Sequence, residues 1–316
     1  MRTFRSTALG AALLAMALLA ASCGDEPGGG GGGGGGGETI ASQLTLGGPP
    51  ECPERPFCIP GLKETYGVEF GEFLPLDVGG PLTVEALRGG DIDVALLFST
   101  SSVIGDEGWV VLEDDKSLQT AENITPVVRS EVLDDTITER LNAVSAALTT
   151  ENITELNGFV EIGGEDPADV AGIFLEDEGL LGGASGSGEL TVGAVAFAEN
   201  QIVAELYAQT LEDAGYTVDR QTTLESREAL QPAIEGGDVD IAPEYLGSLL
   251  LFLDPEAAAS GDPEENRALL EPLLADAGQE LLESSEANDT NAFVVTGETA
   301  DQYGLVTTSD LAKPAE

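Results

Sequence analysis

Apolar residues fall into one short pattern that occurs twice along the chain. The first copy consists of Leu44–Gly48 and, later, Ala86–Ala95; the second consists of Leu190–Gly193 and, later, Ala233–Ala242. Each copy predicts a strand that ends in glycine, a helix that stops at a Gly-Gly-Asp-(Ile/Val)-Asp segment, and a second strand. Two similar lobes form a cleft between them, and clefts are where small molecules bind.

Helices alternate with strands in the rest of the second half. The spacing of apolar residues predicts, in order, helix 201–211, strand 216–219, helix 228–234 and strand 239–242. The first half follows the same order, with Val68–Phe70 and Val84–Leu87 in the matching places. This alternation predicts an α/β fold in which each lobe has a mostly parallel sheet flanked by helices. The aspartates of the repeat, Asp91, Asp93, Asp238 and Asp240, are expected to end helices and face solvent, and Trp109 is expected to pack in the core.

Two further segments resemble each other and follow a sheet-and-helix unit in each case. They are 123–128, beginning Asn-Ile-Thr-Pro, and 288–295, beginning Asn-Asp-Thr-Asn. We interpret them as the two strands that cross between the lobes and form the hinge. The Gly/Ser-rich segment 182–188 has the composition of a flexible linker between the halves.

The first 38 residues read as processing and tethering signals. Arg2 and Arg5 precede a short apolar run that stops at Ser22-Cys23, which predicts a signal peptide over residues 1–22. Cys23 follows Leu19-Ala20-Ala21-Ser22 in a pattern that resembles a bacterial lipobox, which makes Cys23 the lipidation site and residues 23–38, with their glycine tract, a flexible tether. An ordinary signal peptide with an incidental cysteine is the alternative.

The other two cysteines are close together, and histidine is absent from the sequence. Cys52 and Cys58 flank five residues, and in an exported protein this spacing favours a disulfide that stabilises the fold by roughly 2 kcal/mol. Two free buried thiols are the alternative. Without histidine or a second cysteine pair, we expect no metal site and no cofactor.

The charge balance is strongly acidic, with 58 Asp and Glu residues against 12 Lys and Arg residues and a formal net charge of −46. This charge excludes a protein that binds nucleic acid or an anionic lipid surface, since both need a basic face. Because 42% of the residues are hydrophobic, a folded core is expected. A surface rich in acids and poor in lysine suits concentrated salt, where screening removes the self-repulsion. A halophilic source is one interpretation, and an unusually acidic secreted protein is the other.

The ordered set of motifs resembles the osmoprotectant-binding proteins of ABC importers, which take up glycine betaine, choline or proline-type solutes. The likeness extends from Thr39 to Glu316 and is carried by segments 60–67, 82–87, 98–100, 197–207, 237–247, 303–305 and 309–312. The resemblance implies a two-lobed periplasmic-binding-protein fold of type II with a hinge of two crossing strands.

The order of the two halves departs from the family. In the family, the segment like 190–316 comes first and the segment like 44–181 follows, so this chain resembles a circular permutation joined through 182–188. Ends that lie close together at the surface make such a change tolerable. The expected lobe B is then 39–122 plus 290–316, and the expected lobe A is 123–181 plus 189–289.

The solutes that the resemblance implies are quaternary ammonium compounds, whose cationic head is held by aromatic faces. Tyr245 and Phe197 are the predicted cage residues in lobe A, and Phe98 is placed like Tyr245 in lobe B, with Ser99 and Thr100 beside it; core packing is the alternative for each aromatic residue. Arg227 at a helix start is a candidate clamp for a carboxylate, with pairing to a glutamate as the alternative. Thr83 and Asn200 complete the predicted ligand-binding set. Asn291 stands where family members often carry a tyrosine, which leaves room for a different zwitterion or a polyol.

These features predict a binding protein and not an enzyme. The chain lacks histidine-based triads, a phosphate-binding loop and a nucleophile elbow, which leaves only carboxylate chemistry for an enzyme. The expected function is capture of a small zwitterionic or quaternary ammonium solute on the outer face of the cytoplasmic membrane. The expected partners are the lipid anchor at Cys23 and an ABC permease. The alternatives are a lipoprotein that binds an amino acid or polyol, and a sensor with the same fold.

Overall fold

A computed structural model of the protein describes residues 38–77, 79–183 and 186–315. The predicted signal peptide, the lipidation of Cys23 and the glycine tract therefore lie outside the described residues. Within those residues, no helix is both long enough and apolar enough to cross a membrane.

The described residues form ten strands and eleven helices. The strands are β1 Thr45–Gly48, β2 Glu72–Pro75, β3 Val94–Phe98, β4 Val110–Val111, β5 Ile124–Arg129, β6 Glu189–Val195, β7 Thr217–Leu224, β8 Ile241–Tyr245, β9 Gln279–Leu281 and β10 Asn291–Val295. The helices are α1 Ile59–Gly61, α2 Pro81–Gly89, α3 Val103–Asp106, α4 Asp135–Ala147, α5 Thr150–Glu161, α6 Pro167–Asp177, α7 Ala198–Asp213, α8 Arg227–Gly236, α9 Leu246–Leu253, α10 Pro263–Asp276 and α11 Gly297–Tyr303. Short 3₁₀ turns at Ala41–Gln43 and Thr308–Ala312, and a π-helical turn at Leu62–Tyr66, complete the regular structure.

The strands make two five-stranded sheets with matching topology. The first sheet has the order β2-β1-β3-β10-β4, and the second has the order β7-β6-β8-β5-β9. In each sheet the first three strands pair in parallel, and the fourth strand pairs antiparallel with both of its neighbours. The fold is thus the two-lobed α/β architecture that was predicted. Both sheets are mixed. The chain reaches β5 and β10 directly from the other lobe, and each of these strands runs antiparallel to its neighbours.

We call the first sheet and its helices lobe B and the second sheet and its helices lobe A. All strands of the first sheet lie within 39–122 and 290–316, and all strands of the second lie within 123–181 and 189–289. The full boundaries, including the linker role of 182–188, stay predictions. Residues 184 and 185 of that segment lie outside the described residues.

One predicted strand is misplaced. Val68–Phe70 has no regular structure, and the strand of lobe B at that point is β2, four residues later. Val68 is 1% exposed and packs in the core of lobe B. Burial of an apolar side chain explains the hydrophobic pattern there without requiring a strand.

The second aspartate of each repeat fastens two neighbouring strands, which corrects the expectation that both face solvent. The Asp93 carboxylate accepts a hydrogen bond from the Thr45 backbone N–H at 2.8 Å, and the Asp240 carboxylate accepts one from the Thr191 N–H at 2.9 Å. Asp240 is 8% exposed and also pairs with Arg129 at 2.8 Å. The first aspartates of the repeats, Asp91 and Asp238, are exposed, as expected.

The glycines of the repeat have two separate roles. Gly90 and Gly237 end α2 and α8 with φ of 76° and 80°, a left-handed conformation that favours glycine. Gly193, inside β6, lies so close to Val239 that a Cβ atom there would be 2.7 Å from Val239 Cγ1. The repeat therefore encodes a helix stop and a close contact between the strand segments.

Two adjacent antiparallel segments join the lobes. Asn123 forms an isolated antiparallel bridge with Asn288. The Glu122 N–H donates to Asn288 Oδ1 at 2.7 Å, and the Asp289 N–H donates to the Glu122 carbonyl at 3.2 Å. The predicted hinge of two crossing strands is confirmed at these residues.

Lobe A is built around α7, which lies against β6 and is packed by α4, α5 and α6. Nearly every residue from Glu199 to Leu211 is buried. Because the helix is enclosed on several sides, its first turn is fixed in place next to the hinge. Its polar residues there, Glu199 and Asn200, are buried as well.

Two features fasten lobe B. Cys52 and Cys58 form the predicted disulfide, with their Cα atoms 5.3 Å apart. At the ends of the described chain, the Ala315 N–H donates to the Glu38 carbonyl at 2.8 Å and the Ile40 N–H donates to the Lys313 carbonyl at 2.9 Å. The two ends of the folded region are therefore directly paired.

Candidate functional site

An aromatic pair lies where two strands of lobe A end. Phe197 follows β6 and precedes the first turn of α7, and Tyr245 is the last residue of β8. Their rings are stacked with centroids 6.2 Å apart and an angle of 29° between the planes. Phe197 is 40% exposed and Tyr245 is 8% exposed. The pair thus presents one accessible aromatic face supported by a buried ring.

The buried end of this pair is attached to Glu199. The Tyr245 hydroxyl donates to Glu199 Oε1 at 2.8 Å, and the side-chain nitrogen of Asn157 on α5 donates to Glu199 Oε2 at 2.9 Å. The same nitrogen donates to the Thr100 carbonyl of lobe B at 3.1 Å. Glu199 and Asn157 are 3% and 2% exposed. This set of contacts therefore lies in the interface between the lobes.

Asp289 on the crossing segment completes the cluster. The Thr100 hydroxyl donates to Asp289 Oδ1 at 2.8 Å. The Asp289 carboxyl in turn is hydrogen-bonded to Glu199. We call Glu199, Asp289, Thr100, Asn157 and Tyr245 the interlobe cluster.

The environment of the cluster favours protonated acids. Burial raises the pKa of Asp289 well above its usual range, and the neighbouring Glu199 carboxyl raises it further. Burial also raises the pKa of Glu199, against the lowering effect of hydrogen bonds from Thr100, Asn157 and Tyr245. Burial and the Glu199 charge raise the pKa of the Tyr245 hydroxyl. Two buried carboxyls in contact tend to share one proton, because ionising both would place two like charges side by side away from water.

The predicted lobe B residues are divided between the cluster and the cleft. Phe98, at the end of β3 and opposite Asn291, is partly exposed. The Ser99 hydroxyl donates to the Asn288 carbonyl at 3.2 Å and accepts from the Thr290 N–H at 2.9 Å, so it fastens the crossing segment. Thr100 belongs to the interlobe cluster. Asn291 donates to Gln119 Oε1 at 3.2 Å.

Two predicted ligand-binding residues have their polar atoms bound within the protein. Thr83 is fully buried, and its hydroxyl donates to Asp77 Oδ1 at 2.7 Å at the start of α2. Asn200 accepts from the Val195 N–H at 2.7 Å and donates to the Pro243 carbonyl at 3.1 Å, which ties β6 to β8. In this conformation neither side chain is available to a solute.

Arg227 is paired with a glutamate, the alternative left open by the sequence. Its guanidinium contacts both carboxylate oxygens of Glu244, with Nη2 to Oε2 at 2.8 Å and Nε to Oε1 at 3.1 Å. Burial acts to lower the pKa of Arg227, but the Glu244 charge outweighs it, so the pKa of Arg227 is raised and the guanidinium stays protonated. A carboxylate of a solute would have to compete with Glu244 for this arginine.

Two other features of the described residues could indicate a site: an open groove, and groups of acidic residues able to hold a metal ion. An open groove of about 380 Å³ runs along the crossing segments, with Gln119, Asn123 and Asn288 in its wall. It contains none of the predicted ligand-binding residues. In the part of the chain that the structure describes, no group of three or more Cys, Asp or Glu residues is placed to hold a metal ion.

Comparison with protein families supports a role in solute binding. The family described as the substrate binding domain of ABC-type glycine betaine transport systems matches residues 38–177 and 188–316. The chain belongs to this family. The gap between the two matched segments, residues 178–187, contains all but the last residue of the Gly/Ser-rich segment 182–188.

Individual solute-binding proteins resemble parts of the chain. The carnitine transport binding protein OpuCC of Listeria monocytogenes is 33% identical over 145 residues, which is 45% of this chain and 47% of that protein. A glycine-betaine-binding protein of Pseudomonas aeruginosa is 32% identical over 127 residues, 39% of each chain. The matches thus span about half or less of these relatives.

Solved structures resemble the chain at low sequence identity. An ancestral arginine-binding protein bound to arginine has a TM-score of 0.41 and 12% identity, and covers 86% of this chain and 91% of its own. The probable amino-acid-binding protein ytmK of Bacillus subtilis has a TM-score of 0.43 and 9% identity, and covers 85% of this chain and 89% of its own.

Sequence reasoning missed the acidic part of the site. The sequence patterns place Glu199 only in a segment that resembles the family and Asp289 only in a predicted crossing segment, and they do not single out Asn157. A signal was present for Glu199, since it lies between Phe197 and a helix whose other residues are almost all buried. For Asp289 the signal was its position in a crossing segment, where both lobes surround the chain.

Proposed function

We propose that the protein captures a quaternary ammonium solute such as glycine betaine, choline or a related compound. The observation that carries the proposal is the exposed Phe197 ring stacked on Tyr245 at the interlobe cluster. A quaternary ammonium group offers no hydrogen-bond donor, so an aromatic face is its natural partner, with an attraction of about 2 kcal/mol when water is excluded. Membership in the glycine betaine family supports the same class of solute.

Capture in this proposal requires the lobes to separate. Tyr245, Glu199 and Thr100 are each less than 9% exposed, so a solute reaches them only when lobe B moves away. The contacts that must break are polar: Asn157 to Thr100, Thr100 to Asp289, and Ser102 to Glu161 at 3.1 Å. The crossing segments at Asn123 and Asn288 are the hinge for this motion.

The proposal includes delivery of the solute to an importer. The partner is an ABC permease in the membrane, which receives the solute from the closed form. The anchor in this proposal is a lipid on Cys23. This places the protein on the outer face of the cytoplasmic membrane.

Calorimetry with the purified full-length protein at high salt tests the solute class. The solutes are glycine betaine, choline, carnitine and proline. We expect at least one quaternary amine to bind, and Phe197→Ala to weaken that binding about 10- to 30-fold through loss of the cation–π contact. Phe252→Ala is the matched control, since Phe252 on α9 is similarly exposed at 36% and lies outside the cluster.

Two results would reject the quaternary amine proposal. One is the absence of binding by every quaternary amine, with Tyr245→Ala changing no measured property of binding. The other is tight binding of an amino acid or polyol that Phe197→Ala leaves unchanged. The second result would favour the alternative of a lipoprotein for another small solute.

A further inference from the structure

The interlobe cluster contains two acidic side chains and no basic side chain. Among the residues that the structure describes, neither Glu199 nor Asp289 forms an ion pair with a lysine or arginine. Glu161 on α5 adds a further carboxylate whose charge acts on Glu199, and Glu122 on the first crossing segment acts on Asp289. Arg227 is the basic residue whose charge reaches Glu122 and Tyr245, and it is held by Glu244.

A second observation in the cluster also indicates a ligand. The side-chain oxygen of Asn157 is buried and has no hydrogen-bond partner among residues 38–77, 79–183 and 186–315. It belongs to the amide whose nitrogen donates to Glu199, so the unpaired acceptor lies beside the carboxylate. A buried acceptor without a donor is uncommon in native structures, and the hydroxyl of a bound solute could supply the donor. The cluster therefore offers a ligand an unpaired hydrogen-bond acceptor and negative charge.

We propose that Glu199 and Asp289 form the binding site for the positive charge of the solute, and that the preferred solute is a net cation without a carboxylate, of the choline type. This inference rests on the proposed function, since it assumes that a quaternary amine enters between the lobes. The Phe197 face contacts the methyl groups, and the carboxylates neutralise the charge.

The same groups act against a zwitterion. The carboxylate of glycine betaine or carnitine would lie near Glu199, Asp289, Glu161 and Glu122, where like charges repel. Arg227, the nearby arginine that could bind a carboxylate, already donates two hydrogen bonds to Glu244. Choline carries a hydroxyl in place of that carboxylate and avoids both penalties.

Binding of a cation changes the protonation of the pair. In the empty site the raised pKa values of Asp289 and Glu199 favour one proton shared between the two carboxyls, which is written here as a protonated Asp289. When the cation arrives, the O–H bond of Asp289 breaks, the proton passes to the buffer, and two carboxylates face one cation. Because the folded, empty protein holds this proton, affinity for a cation rises with pH, by up to about tenfold per pH unit for one proton released.

The test compares choline with glycine betaine, which share the trimethylammonium head. Titration of the full-length protein at about pH 6 and about pH 8, in buffers of different ionisation enthalpy, counts the protons released. We expect close to one proton per choline at the lower pH, tighter choline binding at the higher pH, and weaker binding of betaine throughout.

Two substitutions separate a role in charge binding from a structural role. Asp289→Asn keeps a donor beside Glu199 but removes one carboxyl of the pair, so choline binding is expected to release fewer protons and to depend less on pH than in the parent protein. Glu199→Gln removes the charge and is expected to weaken choline binding more than tenfold. Glu205→Gln is the control on the same helix, since Glu205 pairs with Arg220 outside the cluster, and it should keep the proton release.

The outcomes distinguish this inference from the proposed function. Choline binding that is independent of pH and releases no proton, or betaine binding that is tighter than choline binding, would overturn the inference and leave the proposed function standing. Absence of binding by choline, betaine and carnitine alike would overturn the proposed function, and the inference with it.

Discussion

Asp93 and Asp240 illustrate how one side chain can define a repeated unit. Each lies three residues after the glycine that ends a helix, and each carboxylate accepts from the backbone of the first strand of its copy of the repeat, β1 or β6. The pair of glycines turns the chain, and the aspartate then fixes where the next strand begins. The same chemistry at both positions explains why the repeat is conserved between the two lobes of this one chain.

At the residue scale we predict unequal effects of the repeated aspartates on stability. Asp240→Ala should lower the free energy of unfolding by about 2 to 3 kcal/mol, since it removes a buried charged acceptor and leaves Arg129 paired only with the exposed Glu131. Asp238→Ala, two residues away and exposed, should change it by less than about 0.5 kcal/mol. Urea denaturation at high salt measures both, and equal losses would contradict the assigned role of Asp240.

The sequence predicted the aromatic residues of the site better than its charged residues. Phe197 and Tyr245 stand out because aromatic residues are only 5% of the chain. Glu199 and Asp289 do not stand out among 58 acidic residues, and they are 90 positions apart. Their role depends on which of many carboxylates loses contact with water, and only the packing of α7 against the crossing segments determines that.

At the element scale, the strands and helices with a clear period were predicted, and those defined by tertiary contacts were not. Helices α7 and α8 were found from apolar spacing, within about three residues of their observed ends. Helices α4, α5 and α6 were not interpreted, although Asp134, Thr149 and Asp166 cap them with side-chain hydrogen bonds. The misplaced strand at Val68 was apolar because it packs in a core, which periodicity over three residues cannot distinguish.

The close contact between β6 and the segment before β8 gives a prediction for one glycine. Gly193→Ala would bring a methyl group to 2.7 Å from Val239 Cγ1, and we expect a loss of about 1 to 3 kcal/mol in the free energy of unfolding. In the background of Val239→Ala the same change should cost clearly less, because the opposing methyl groups are gone. A double-mutant cycle measured by thermal or urea unfolding tests this, and strict additivity would show that another contact is responsible.

At the scale of the whole molecule, the order of the lobes leads to a prediction about connectivity. We propose that the natural chain is a permuted form whose linker is 182–188. Glu38 and Ala315 are hydrogen-bonded to each other, so a short Gly/Ser connection can replace the present ends. A chain that begins at Gly188, passes through this connection and ends at Gly183 should fold with a stability within about 2 kcal/mol of the parent.

The permuted chain can be judged by unfolding and by solute binding together. Native-like cooperative unfolding with unchanged binding would support the assignment of 182–188 as a linker. A chain that fails to fold would contradict it, because the segment would then have a structural role beyond connection. The matched control opens the chain within α7 at a buried position and should not fold.

The polar character of the contacts between the lobes has a thermodynamic consequence. Closure joins Asn157 to Thr100 and Ser102 to Glu161, and each such hydrogen bond contributes only about 1 kcal/mol to the closed form. A solute that binds the open cleft therefore acts on two forms, open and closed, whose free energies differ little. The apparent dissociation constant is then the intrinsic one divided by the fraction of molecules that are open. Residues such as Ser102, which need never touch the solute, thus set how much of it the protein retains at a given concentration.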